Sequence, residues 1–189
     1  MLSHRNKTGL VRNMRRYVYK RPLLKVSTTP IPIKDEYDHS IGCMQRTYRG
    51  KLSTACSWVL NSWEVSINGE DNRTGEAVRL ADNRIWFNRN SWTVTITRQG
   101  EMKTGILRDQ SKAITNPKFS YAIDDQEYLI SKEPLSRITQ IVHVNKDVLV
   151  CEIEHAAIST RTKRTLTLQR EDLSPILLAS MDHLIISMY

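Results

Sequence analysis

The chain has no apolar run long enough to cross a bilayer. Its longest near the C-terminal end is Ile176–Ala179, against the about 20 residues a spanning helix needs. The first sixteen residues carry only scattered Leu2, Leu10, Val11 and Met14, so no export signal is visible and a cytoplasmic location is expected. Cysteine is scarce: Cys43, Cys56 and Cys151 are an odd number, far apart, which excludes a disulfide framework and reads as reduced thiols. Acid is missing from residues 1–34, which hold nine basic residues, whereas the remainder carries 19 basic and 20 acidic ones. The net charge of +8 therefore belongs to one end of the chain and not to its whole surface.

Catalytic signatures are missing too. No Gly-x-Ser-x-Gly elbow is present. Gly69 and Gly75 are not at P-loop spacing, and Glu76 stands where a phosphate-reaching Lys would be needed. His4, His39, His143, His155 and His183 are dispersed. Cys151 and His155 share a strand face because their separation is even, but two ligands do not make a zinc site. Asp124, Asp125 and Glu127 lack the EF-hand spacing and its Gly, and read as an acid-rich turn. These absences predict a protein that is not an enzyme and holds no metal or cofactor.

What is present begins at the C-terminal end. Ser174 is a good N-cap and Pro175 fits the first helical position, predicting a helix over 174–188. Ile176, Leu177, Leu178, Met181, Leu184, Ile185, Ile186 and Met188 cover most of its circumference, leaving a narrow stripe of Ser180, His183 and Ser187. A helix apolar nearly all round must be enclosed. Burying those eight side chains is worth at most roughly 1.5–3 kcal/mol each. On this helix Asp182 and His183 would be interior, either as a polar site at a barrel mouth or as a tie to a strand side chain that fixes the helix register.

Upstream, residues 1–13 are basic and aperiodic and read as a flexible lead-in; Met14 is a possible natural start. Residues 14–189 read as one domain. Met14–Arg21 is strand-like, and Pro22, Pro30 and Pro32 restrict the next stretch to short or edge strands. Hairpins then recur. Trp63–Ile67 alternates and Asn68-Gly69 predicts a turn; Trp92–Thr97 turns at Gln99-Gly100-Glu101; Phe119–Ile123 turns at Asp124-Asp125-Gln126; Ile138–Val144 turns at Asn145-Lys146-Asp147; and residues 158–168 alternate again. Roughly a dozen antiparallel strands avoid exposed edges by closing into a barrel, whose wide interior needs filling. The expected fold is therefore mainly β: a closed antiparallel barrel of about 12 strands around a central hydrophobic C-terminal α-helix.

That pattern, carried by Met14-Arg-Arg-Tyr-Val-Tyr-Lys, Lys118-Phe-Ser-Tyr-Ala-Ile-Asp and Ile176-Leu-Leu-Ala-Ser-Met-Asp-His-Leu-Ile-Ile-Ser, resembles the Tubby C-terminal-like family. The resemblance spans residues 14–189 and is nearest the small single-domain branch of bacteria and plants, related to the LURP-one proteins and distantly to phospholipid scramblases. A lone acid midway along the helix, here Asp182, is similar to the family pattern. The resemblance implies a non-enzymatic barrel. Tubby proteins bind phosphoinositide headgroups through wall Lys and Arg, but no segment here matches that motif residue by residue, and no cysteine cluster resembles the acylated one of scramblases.

Two basic sets are the candidate ligand residues: Arg12, Arg15, Arg16, Lys20 and Arg21 at the N-terminal end, and Arg161, Lys163 and Arg164 near the last strand. Five cations near an anionic membrane give roughly 5 kcal/mol, enough for reversible surface association and not for anchoring. The expected partner is an anionic phospholipid headgroup or a phosphorylated ligand at the inner membrane surface. A protein-interaction or scaffolding module without lipid is the alternative, and an enzyme at the Asp182–His183 mouth a third reading. No motif supports sequence-specific nucleic-acid recognition.

Overall fold

The computed structural model describes residues 14–24, 26–48, 50, 64–83, 90–112, 116–133, 136–156 and 162–189. Twelve antiparallel strands form one closed barrel in which each strand pairs with its neighbours in sequence and the last pairs with the first. They are β1 (Arg15–Lys20), β2 (Ile31–Asp35), β3 (Ser40–Thr47), β4 (Ser66–Asp71), β5 (Ala77–Asp82) and β6 (Ser91–Arg98), then β7 (Glu101–Asp109), β8 (Lys118–Ile123), β9 (Gln126–Lys132), β10 (Ile138–His143), β11 (Val148–His155) and β12 (Lys163–Leu168). The single α-helix among the described residues, α1 (Pro175–Met188), comes last.

Alternation drives this architecture. Along β1 the buried residues are Tyr17 and Tyr19, and along β12 they are Arg164, Leu166 and Leu168, each separated by a residue facing outward. The hairpin turns obey their residues. Gln99-Gly100 and Asp124-Asp125 both have positive φ at the two central positions, as the primed hairpin turns require. After β10 a short 3-10 turn over Val144–Lys146 ends on left-handed Asp147.

α1 is buried at eleven of its 14 residues, on every side. Ser174 caps it, its hydroxyl accepting from the Leu177 N–H at 3.2 Å. The helix therefore sits inside the wall, as its composition demands.

One expectation is corrected by the packing. Asn68-Gly69 is not a turn but the middle of β4, and the chain reverses at residues 72–75. There Asp71 accepts from the backbone of Arg73 and Thr74, and Gly75 takes φ +68°. Gly69 serves a different purpose: a Cβ on it would lie 2.8 Å from both Ile176 and Ser180 of α1, so its smallness lets the helix approach β4. The Pro-rich segment gives a short strand as expected, β2, which closure pairs with both β1 and β3. Residues 61–63, and 158–161 of the expected last strand, lie outside the described residues.

Candidate functional site

Parity along the strands brings a set of polar side chains to one level of the interior, around Asp182 of α1. Tyr19 of β1 lies directly opposite Arg164 of β12, which lies directly opposite His155 of β11. Thr139 of β10 lies opposite Lys132 of β9. Five adjacent strands thus each end their inward series on a polar group at the same mouth of the barrel. Arg21, just beyond β1, continues the Tyr17–Tyr19 series and is partly buried there.

Asp182 is 2% exposed. The Tyr19 hydroxyl donates a hydrogen bond to its Oδ2. The Arg164 Nε lies 3.7 Å from Oδ2 and the His155 Nε2 lies 3.8 Å from Oδ1. Thr139 Oγ1 and His155 Nε2 share a hydrogen bond of 3.1 Å. Asp182 is therefore tied to strand side chains on β1 and β12, and these ties fix the rotation of the helix in the barrel.

Burial sets the protonation of the group. It pushes the Asp182 carboxyl up, against the pull of Arg164, the Tyr19 hydroxyl, Lys132 and Arg21. Burial, and then Asp182, raise the Tyr19 phenol well above its ordinary range. Burial with Arg164, Lys132 and Arg21 nearby depresses His155 to about 3, and burial with Arg46, Arg21 and Arg164 depresses His183 to about 4. Both imidazoles are neutral at pH 7. The Cys151 thiol is pushed up to about 12 by burial and then by Asp182, so it is a protonated thiol and not an activated nucleophile. Lys132 and Arg21 are pushed down by burial and by Arg164.

Arg164, Lys132 and Arg21 act electrostatically on the one carboxylate of this mouth, and no group of three metal-ligating residues occurs among the described residues. Beside them lies a cavity of about 260 Å³ whose other wall is apolar, from Phe119, Ile130, Ile185 and Ile186.

The predicted surface residues divide. Arg16, Lys20 and Lys163 are exposed on the outer wall, and Lys20 and Lys163 face each other across the β1–β12 seam. Arg15 is exposed and paired with Glu171 at 3.0 Å. Arg164 is not part of an outward set with Lys163: alternation turns it inward, where it is 5% exposed and paired with Asp182. Arg12 and Arg161 lie outside the described residues. His183, adjacent to Asp182, has no hydrogen-bond partner on either ring nitrogen. Tyr19, Lys132 and Thr139 escaped sequence reasoning. The signal for Lys132 was available, since it comes after Tyr128 and Ile130 at even spacing.

A family model, the Tubby C-terminal like domain, matches residues 17–188. The chain belongs to the Tubby C-terminal-like family. This family is in general non-enzymatic. The Tubby-like barrel is also similar to the X-ray structure of a protein from Arabidopsis thaliana, at 10% identity and a TM-score of 0.46, covering 93% of this chain and 89% of that one. No curated protein matches the sequence. Among the described residues no helix is long and apolar enough to cross a membrane.

Proposed function

We propose that this Tubby-like barrel is a non-enzymatic binding protein that associates reversibly with anionic phospholipid headgroups at the cytoplasmic membrane surface, and that it is kin to the LURP-one-related and scramblase-like branches. The contact face is the β1–β12 seam, where Arg16, Lys20 and Lys163 project outward. The observation that carries this reading is a pair of exposed leucines just past β1. Leu23 and Leu24, 85% and 63% exposed, come directly after Lys20, Arg21 and Pro22. Exposed apolar residues beside surface cations are what a shallow interfacial contact uses. Each cation adds about 1 kcal/mol near an anionic surface, less as salt rises.

Sedimentation with vesicles of phosphatidylcholine, with and without phosphatidylglycerol, tests it. Pelleting is expected with the anionic vesicles alone, with loss at high salt and in the Lys20→Gln/Lys163→Gln and Leu23→Ser/Leu24→Ser variants. Equal pelleting with neutral vesicles rejects the proposal.

A second reading, a protein-interaction module, draws support from β7. Its pairing with β8 begins only at Ile106, so Glu101–Thr104 are paired on one side and exposed, an edge that a partner strand can extend. A stoichiometric partner retained without lipid, and lost in Met102→Pro, favours that reading.

A further inference from the structure

The seam lies on the outer wall, but the cavity at the C-terminal end of α1 has a distinct composition. One side is apolar and the other carries Lys132, Arg164, His155, Thr139 and Asp182. Arg164 is paired with Asp182 only at 3.7 Å, too long for a hydrogen bond, and its buried Nε has no acceptor. The buried Nε of Arg21 has none either. A buried donor left without an acceptor is costly, and native structures satisfy such donors with protein, water or ligand.

Charge is out of balance in the same place. Among the side chains that line the cavity, the two bases Lys132 and Arg164 outnumber the one acid, Asp182. His155 is neutral here and contributes a hydrogen-bonding ring, not a charge. Lys132, Ile186 and Tyr189 are half-buried, so the cavity opens to solvent past them. Its volume of about 260 Å³ holds roughly eight or nine heavy atoms at about 30 Å³ per water-sized group.

We propose that this cavity is a binding site for a small monocarboxylate with a short hydrocarbon stem, the carboxylate held by Lys132 and Arg164 and the stem lying against Phe119, Ile130, Ile185 and Ile186. A cation is disfavoured by Lys132 and Arg164. A neutral apolar molecule leaves the Arg164 donor unmet. A phosphate monoester brings nearly two charges beside Asp182, where one suffices. The proposal does not depend on membrane association, because its residues are interior and the seam residues are not.

Isoleucine-methyl NMR of the full chain at pH 7, titrated with hexanoate, tests it. Saturable shifts are expected at Ile130, Ile185 and Ile186, with none from hexylammonium. Lys132→Met keeps the aliphatic stem and removes the charge, and is expected to weaken hexanoate about tenfold or more, the scale of one charged hydrogen bond. Ile186→Phe, which fills the cavity from its half-buried rim, is expected to abolish the shifts in a protein whose other methyl signals are unchanged. Lys20→Gln/Lys163→Gln, which removes the seam charges, is expected to leave hexanoate binding as it was. Absence of saturable cavity shifts, equal affinity in Lys132→Met, equal shifts from hexylammonium, or tighter binding of hexyl phosphate than of hexanoate would each overturn the assignment.

Discussion

The two ends of the barrel enclose the two ends of the same helix, yet they are built from opposite charge. At the N-terminal end of α1, beside Ser174 and Leu177, the cavity wall carries Glu76, Glu101, Asp124 and Asp172. Arg98 and Lys103 offset part of this acid, and Lys103 pairs with Asp124 on the surface. At the C-terminal end, Arg164, Lys132 and Arg21 surround Asp182. α1 itself has no acid in its first turn and no base in its last. A helix places partial positive charge at its start and partial negative charge at its finish. Here the strands and the turns that join them supply the complementary charges that the helix omits. Wall and helix are electrostatically matched end to end, which opposes insertion of the helix the other way round.

Removing Pro175–Tyr189 erases both ends at once and has the largest expected effect. The deletion empties the interior of its buried Ile176, Leu177, Leu178, Met181, Leu184 and Ile185. Their burial, at most about 9–18 kcal/mol together, is as large as the about 5–15 kcal/mol net stability of a domain. Loss of the cooperative thermal transition by circular dichroism is expected. A retained transition would mean that the wall stands alone.

Breaking only the cation-rich end comes next. Asp182→Ala leaves Arg164 buried without its carboxylate and is expected to cost about 3–5 kcal/mol, the penalty of an orphaned buried charge. Urea denaturation measures it, and a cost near zero would dissociate Asp182 from the register of the helix.

Acid sharpens the contrast. His155 and His183, with folded values of about 3 and about 4 against 6.5 in the unfolded chain, are neutral in both states above about pH 7. As pH falls from 6.5 toward 4, the unfolded chain binds protons that the native barrel refuses, so these two groups lower stability on acidification. Asp182, raised by burial, acts with the opposite sign because the native state takes up its proton first. Two groups against one predict a melting temperature that drops between pH 7 and pH 5, with a shallower drop in His155→Gln.

The smallest effects belong to the other end. Ser174→Ala removes the cap and is expected to cost about 1 kcal/mol. Lys103→Ala, on an exposed pair, is expected to change stability less than Ser174→Ala does. Urea denaturation reads both.

Much of the barrel was legible because its two periods are simple. Strand alternation and a helix apolar on all sides leave little other than a filled cylinder, and left-handed turn residues such as Gln99-Gly100 marked the reversals. Local signals failed where a distant partner decided the outcome. Asn68-Gly69 reads as a turn, but Gly69 is small because Ile176 and Ser180 come against it from more than a hundred positions away. Arg164 looks like a neighbour of Lys163 along the chain, yet its partner is Asp182. The polar mouth was half visible: Asp182 stood out on an apolar helix, and Cys151 and His155 were placed on one face. Lys132 and Thr139 join them through cross-strand register, which alternation alone does not assign.

Eleven of the twelve ladders join strands adjacent in the chain; the twelfth joins Arg15 to Leu168 and Lys20 to Lys163. Hairpins of the first kind zip quickly, whereas closing the last must overcome the entropy of a loop that is nearly the whole molecule. Until that seam shuts, β1 and β12 are raw edges on an open, curling ribbon. Refolding should then end in a slow sealing event, and the protein is most prone to stick to its own kind just before it.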